Sequence, residues 1–329
     1  MRKYEIYSIL LKITAIIMVC VILPLSIIFF TIKSNQRKDA GETSFSELHD
    51  GFNYNNKTNV LKVSKSVAST IKQSENHDGE KRYVFKFEGT AIEHKFEVTD
   101  SISVDDSKCE ITITTKKISV FDIDEDSNYY YIKQVDPRDR YEKIVIIDAG
   151  HGGGDSGAIV AGVHEKELDL AMALKVYEMF EQGDSGIKAY MTRYGDETID
   201  KYDRPKIANG LADMFVSIHC NTYEDSSVYG ASTHFALEEE NELSRLNVTG
   251  YRLANIIQEK IVEELGTRDR GISADDDFVV VKQSKMPAVL IEMGYMTNAE
   301  ERRKLTNEEY QTKAAKAVYE GIIEAFAYE

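Results

Sequence analysis

The chain has no tryptophan, only four prolines and only three cysteines in 329 residues. The cysteines stand at 20, 109 and 220, an odd number at unrelated spacings, so neither a disulfide framework nor a cysteine-based zinc knuckle is encoded. Basic side chains are also in deficit: 40 Lys and Arg against 56 Asp and Glu leave a net charge of −16. A nucleic-acid binder needs a basic surface to displace counterions from phosphates, so no nucleic-acid partner is expected. What remains is 42% hydrophobic and 29% charged, too apolar for a disordered chain and too mixed for a polytopic membrane protein. At roughly 100–200 residues per domain, the length suits two folded domains.

The first feature present is apolar. Residues 13–32, ITAIIMVCVILPLSIIFFTI, carry no charge. A helix of that length rises ~30 Å, the hydrocarbon thickness of a bilayer. A cleaved signal peptide would have a shorter apolar core, about 7–15 residues, and a small-residue cleavage site. Here the run ends in FFTIKSNQRK, so residues 1–32 are expected to be an uncleaved membrane anchor. Arg2, Lys3 and Lys12 precede the span, and Lys33, Arg37 and Lys38 follow it, so charge leaves the orientation open.

Residues 33–46 are polar and read as a tether. From 47 to 140 short runs alternate apolar and polar residues: YVFKFE (83–88), IEHKFEV (92–98), CEITITT (109–115) and YYYIKQV (129–135). Asp-, Ser- and Asn-bearing stretches separate them, the pattern of a small all-β domain. It gathers no His, Cys or carboxylates at ligand spacing, and a spacer or stabilising role is the simplest reading.

Asp136-Pro137 marks the next boundary, and in 141–329 strand and helix patterns alternate. Strands are expected at 143–148, 187–193, 214–220, 232–237, 278–282 and 288–293. Helices are expected at about 165–182, 204–211 and 243–265, and from about 299 onward. Such alternation predicts an α/β domain with a mainly parallel sheet flanked by helices on both faces.

Four polar residues stand at or near the ends of these elements. His151 follows the strand KIVIID, Glu165 opens the next helix, His219 closes MFVSIHC, and Glu292 interrupts AVLIEMGY. Ligands of open α/β sheets gather outside the carboxyl ends of the strands, so residues 14, 54 and 73 positions apart can meet at one rim. Each also has a plain structural role open to it, Glu165 as a carboxylate favoured at a helix N-terminus. Glu292 fits that kind of role least, because a carboxylate inside an apolar strand costs several kcal/mol unless paired, hydrated or near a metal. Two imidazoles and a carboxylate are a catalytic zinc ligand set, with the fourth position open. The run Gly152–Gly157 also matches G-x-G-x-x-G, the dinucleotide-binding pattern. Against that, the expected helix starts eight residues too late to offer its N-terminus to a pyrophosphate, and Asp155 puts a negative charge in the turn.

In order along the chain, IVIIDAGHGGGDSGA, the Glu of HEK, ADMFVSIHCN and MPAVLIEMGYMTN resemble the successive motifs of the zinc-dependent N-acetylmuramoyl-L-alanine amidases, family 3. MTR (191–193) and DRPKIAN (203–209) stand between them. The resemblance runs from about Lys143 to the C-terminus. It implies that His151, Glu165 and His219 bind Zn2+ and that Glu292 is the acid/base activating water at the zinc. The reaction implied is hydrolysis of the amide between the lactyl group of N-acetylmuramic acid and L-alanine in peptidoglycan. Cys220, where the family often has a small residue, is expected to pack beside the site. Arg193 and Arg204 either steer substrate carboxylates or, as the favoured reading, serve the structure. The short stretch between Leu237 and Leu243 leaves no room for the plugging helix that some members carry. Since peptidoglycan lies outside the cytoplasmic membrane, the resemblance also implies a single-pass cell-membrane protein with its catalytic domain on the cell-wall side. Another zinc peptidase of wall peptides, or a non-catalytic wall-binding protein with a vestigial site, are the alternatives.

Overall fold

The computed structural model describes residues 46–49, 51–77, 81–89, 95–99, 101–105, 107–237 and 245–328. The anchor expected over 13–32 lies outside them, as do most of the tether and the stretch 238–244 judged too short for a plug. Among the described residues, no helix is long and apolar enough to cross a membrane.

The N-terminal part is a sandwich of two antiparallel sheets. One has β1 (Ser46–His49), β2 (Phe52–Asn55), β3 (Val60–Ser64), β10 (Tyr129–Val135) and β9 (Val120–Glu125), in that order. The other has β4 (Ala68–His77), β5 (Arg82–Gly89), β8 (Glu110–Thr114), β7 (Ile102–Asp105) and β6 (Lys95–Thr99). Alternation decides which residues turn inward: Leu61 and Val63 of β3 and Ile111 and Ile113 of β8 are buried, while their neighbours are not. Phe85, Phe87, Phe121 and Ile132 join them in one core shared by both sheets. Each such aliphatic or aromatic side chain stabilises the fold by about 1.5–3 kcal/mol on burial.

Asp136 ends the sandwich. Its side chain accepts from the Arg138 amide and opens a single 3-10 turn, Pro137–Asp139. Beyond it a six-stranded sheet runs β14 (Ile187–Met191), β11 (Lys143–Ala149), β15 (Met214–Asn221), β18 (Ala288–Tyr295), β16 (Ala231–Phe235) and β17 (Asp269–Ala274). Its pairings are parallel except that of β16 with β18. A two-residue hairpin, β12 (Ile159–Val160) and β13 (Val163–His164), leads into the first helix.

Both faces of the central strands are covered, which is why they read as continuous apolar runs. Val145, Ile147, Val216, Ile218, Val289 and Ile291 point to one face, under α1 (Glu165–Gln182), α3 (Gly250–Leu265) and α6 (Glu308–Phe326). Helix α1 presents Leu168, Met172, Val176 and Phe180 at steps of four to that face and stops at Gly183. Ile144, Ile146, Phe215 and Leu290 point to the other face, under α2 (Arg204–Asn209) and α4 (Val279–Lys282). Ile118 of the sandwich joins this second core. A 2.7 Å ion pair between Arg138 and the buried Asp213 sits at the same junction. The remaining helix, α5 (Ala299–Leu305), is capped by Asn298, which accepts from the amides of Glu300 and Glu301.

Three elements differ from the sequence expectation. FVVVK (278–282) forms no strand. Both edges of β18 are already paired, by β15 and β16, so Val280 and Val281 cover the sheet as a one-turn helix, α4. The long helix begins at Gly250 instead of near Leu243, because the Thr249 hydroxyl takes the free amide of Arg252 and caps the first turn there. Strand β17 was not anticipated: DRGISA is an exposed edge strand with little apolar content.

Candidate metal centre

Strand β11 ends at Ala149 and the chain turns sharply through Gly150 and His151, the latter at φ +55°. Few non-glycine residues adopt that left-handed backbone, so the surroundings must impose it. Arg204 does so in part, donating to the carbonyls of Ala149 and His151. Arg193, fully buried, donates to those of Ala149, Gly150, Lys166 and Gly195. Both guanidinium groups are therefore bracing for the glycine loop, the structural reading of the two.

His219, near the end of β15, and Glu292, in β18, are paired in register and point to the same face of the sheet. Glu165 is the first residue of α1, on the opposite face. The hairpin before it turns the helix start over the sheet's rim, with the Glu165 amide bonded to the Ala158 carbonyl. Four distant segments thus converge. Glu165 Oε1 lies 3.1 Å from His151 Nε2 and 3.1 Å from His219 Nδ1, and the two rings are 4.9 Å apart edge to face. Asp169, one turn along α1, puts Oδ2 3.8 Å from His219 Nδ1. One ligand atom from each of His151, Glu165, Asp169 and His219 falls within 4.8 Å of all the others.

The donor set suits zinc. Metal bonds of about 2.0–2.2 Å at tetrahedral angles place neighbouring ligand atoms about 3.4 Å apart, close to the spacing found here. Asp155 orients the His151 ring: its Oδ2 is 2.9 Å from His151 Nδ1. A metal at Nε2 would leave the proton on Nδ1 facing Asp155, the arrangement metal-binding histidines favour. Sequence reasoning counted Asp155 only as a charge against a dinucleotide turn. Its spacing of four from His151 was the available signal for a partner. Asp169 was also missed, though it too stands four residues from a ligand, on the same face of α1.

Electrostatics separates the two glutamates. Burial pushes Glu165 up, but hydrogen bonds from His151 and His219 and their charge outweigh it and hold the carboxyl well below its usual range. Glu292 is pushed well above its ordinary value by burial and then by the negative charge of Glu165. Its Oε2 is buried without a hydrogen-bond partner, and it lines a cavity of about 370 Å³ together with His151, Glu165 and His219. A cation beside it would reverse the second effect. Ser232 faces Glu292 across the antiparallel pairing, with its hydroxyl 3.1 Å from His234 Nε2. Cys220 is buried, its amide donates to Glu165 Oε1, and burial raises its thiol.

Two expected outcomes follow from this scaffold. A Cβ added at Gly150 would fall 2.3 Å from His219 Cε1 and 2.6 Å from Asp169 Oδ2. Gly150→Ala therefore displaces a ligand, and zinc titration calorimetry should find affinity lower by about 10–100-fold. The second concerns Asp148, fully buried and accepting from Arg204, Thr192 and Ser217 at 2.6–2.8 Å. Burial pushes its carboxyl up, but Arg204 and the two hydroxyls prevail and leave it below its ordinary value. Its contribution to stability is thus present above the unfolded value of about 3.9 and is lost as pH falls through the lower folded value. Asp148→Asn strands the buried Arg204 charge and should cost about 3–5 kcal/mol in denaturant unfolding at pH 7. Below about pH 4 the gap between variant and wild type should shrink.

Comparison with known proteins identifies the family of the chain. The family profile described as N-acetylmuramoyl-L-alanine amidase matches residues 145–324, more than half the chain. The Bacillus subtilis protein YqiI is 42% identical over 55% of this chain and 83% of its own length. N-acetylmuramoyl-L-alanine amidase LytC of the same organism is 39% identical over 54% of this chain, which spans about a third (34%) of LytC. The crystal structure of N-acetylmuramoyl-L-alanine amidase from Clostridium difficile 630 superposes with a TM-score of 0.51 at 33% identity, covering 55% of this chain and 95% of that one. With the matched segment enclosing all four converging residues, the chain belongs to the N-acetylmuramoyl-L-alanine amidase family.

Proposed function

We propose that this protein is a zinc-dependent peptidoglycan amidase that hydrolyses the bond between the lactyl carbonyl of N-acetylmuramic acid and the nitrogen of L-alanine. The observation that carries this reading is the placement of Glu292. It is a buried carboxylate with an unpaired oxygen, level with His219 on one face of the sheet, in the cavity that His151 and Glu165 also line.

His151 Nε2, Glu165 and His219 Nδ1 would hold the metal, and Asp155 keeps the proton on the far nitrogen of His151. When bound, zinc supplies Lewis-acid polarisation of the substrate carbonyl and acidifies water at its open position. Glu292 contributes the proton transfers. As carboxylate it accepts a proton from the attacking water, and as acid it returns that proton to the departing alanine nitrogen. Its burial favours the protonated form, which makes it a competent donor for the second step. The buried walls around it strengthen these interactions by excluding bulk water.

Residues 13–32 would anchor the chain in the cytoplasmic membrane, with residues 141–329 on the cell-wall side, because peptidoglycan is found only there. The segment 33–46 would then act as tether, although its last residue, Ser46, already belongs to β1. The test is product analysis. Purified peptidoglycan treated with the protein should release intact stem peptides with N-terminal alanine. Shortened stems would instead indicate a zinc peptidase, and an unchanged wall would indicate a binding protein.

A further inference from the structure

A second sizeable cavity lies away from the candidate metal centre. It is a cleft of about 560 Å³ where the sandwich meets the catalytic domain, within the usual range for ligand sites. Lys81, Lys116, Lys117 and Asp136 line it from the sandwich side, and Asp200, Asp203 and Lys206 from the catalytic side. Ile199 lines both this cleft and the metal cavity, so the two are neighbours across a single loop.

That loop is braced. Thr198 Oγ1 accepts from the Gly154 amide, and Asp196 accepts from the Gly153 amide and from Lys166. The opposite wall is fixed too, since Ile118 is buried in the catalytic core and Arg138 pairs with Asp213. The cleft is therefore preformed.

Its charges are unequally satisfied. Lys117 pairs with Asp136, and Lys206 pairs with Asp203. Lys81 and Lys116 have no carboxylate within ion-pair distance among the described residues. The lining holds four lysines against three aspartates, Asp200 also having no ion-pair partner among the described residues. In a chain carrying −16 the cleft thus has a local excess of positive charge that suits an anion.

We propose that the cleft between the two domains is a binding subsite for the carboxylates of the peptidoglycan stem peptide, with Lys81 and Lys116 as the recognition charges. The proposal rests on the amidase reading above. Stem peptides begin at the scissile amide and carry free carboxylates further along. Two to four residues of extended peptide span roughly 7–14 Å, and Ile199 lies between the two cavities. The sandwich then contributes to substrate selection as well as to spacing.

The test uses the full chain and two soluble disaccharide-peptides, one with free stem carboxylates and one with every carboxylate amidated. For Lys81→Gln/Lys116→Gln, KM for the free acid should rise about five- to tenfold. KM for the amidated substrate should move less than twofold, and kcat on both should stay within twofold. Lys116→Gln alone should fall between, and Lys81→Arg/Lys116→Arg should restore the wild-type KM. An unshifted KM, or an equal shift on both substrates, overturns the proposal while leaving the amidase reading intact. So does a variant that keeps its preference for the free acid but loses binding to a glycerol-phosphate polymer, which would assign the cleft to phosphate. Wild type that cleaves neither substrate overturns the amidase reading, and the proposal with it.

Discussion

Glu292→Gln should lower kcat for peptidoglycan hydrolysis by about 10³–10⁴-fold, near the upper end for loss of a positioned general acid/base. The amide has the same shape but neither accepts the water's proton nor returns one to the leaving nitrogen. Glu292 is not one of the four residues, His151, Glu165, Asp169 and His219, whose ligand atoms lie within 4.8 Å of one another, so zinc content should stay at the wild-type value. Stability should not fall and is expected to rise, because the native residue is a carboxyl buried with an unpaired oxygen. Rates on labelled muropeptides, metal analysis and thermal melts together check all three expectations. A variant retaining a tenth of wild-type activity would remove Glu292 from the reaction.

The second large effect is removal of the metal or of its ligands. Chelation of the wild type should abolish hydrolysis, and added Zn2+ should restore it. His219→Ala should lose activity, together with most of its zinc affinity, and not recover it with added Zn2+. The stability effect has a definite sign, since a ligand that binds only the folded state stabilises by about 4 kcal/mol at 1,000 times its Kd. The melting temperature of the wild type should therefore rise with zinc, and that of His219→Ala should hardly respond. The metal-free fold is expected to persist, because Glu165 already bridges both imidazoles at 3.1 Å and the sheet beneath is a continuous apolar core. Full activity in the chelated protein would sink the zinc mechanism.

Asp148 and Gly150 show how closely the site depends on the strand ends. Asp148 fastens β11 to β15 through Ser217 and to α2 through Arg204. Gly150 provides the space in which His219 and Asp169 sit. Neither residue touches the reacting atoms in this reading, but both set where His151 and His219 point. The same holds for Arg193 and Arg204. From sequence they are two basic residues near the site, equally suited to meeting substrate. In the structure their donors are taken by loop carbonyls and by Asp148.

The linear chain was enough for the alternation of strand and helix after residue 140, the period-two runs of the sandwich, and the choice of Glu292 as a residue out of place in its strand. Each of these is a local pattern: hydrophobic period reports burial, and a charged residue inside an apolar run reports a site. Local pattern misled at 278–282, where a β-branched run lies across the sheet as a helical turn, and it missed the polar edge strand β17. Only the tertiary arrangement decided that Asp155 stands behind His151 and that Asp169 joins the cluster beside His219, that the two arginines brace the loop, and that a lysine-lined cleft opens between the domains. The reason is range. Burial preference acts on each residue through its own solvation, whereas a hydrogen bond or a cleft exists only once segments far apart in sequence have packed at fixed distances.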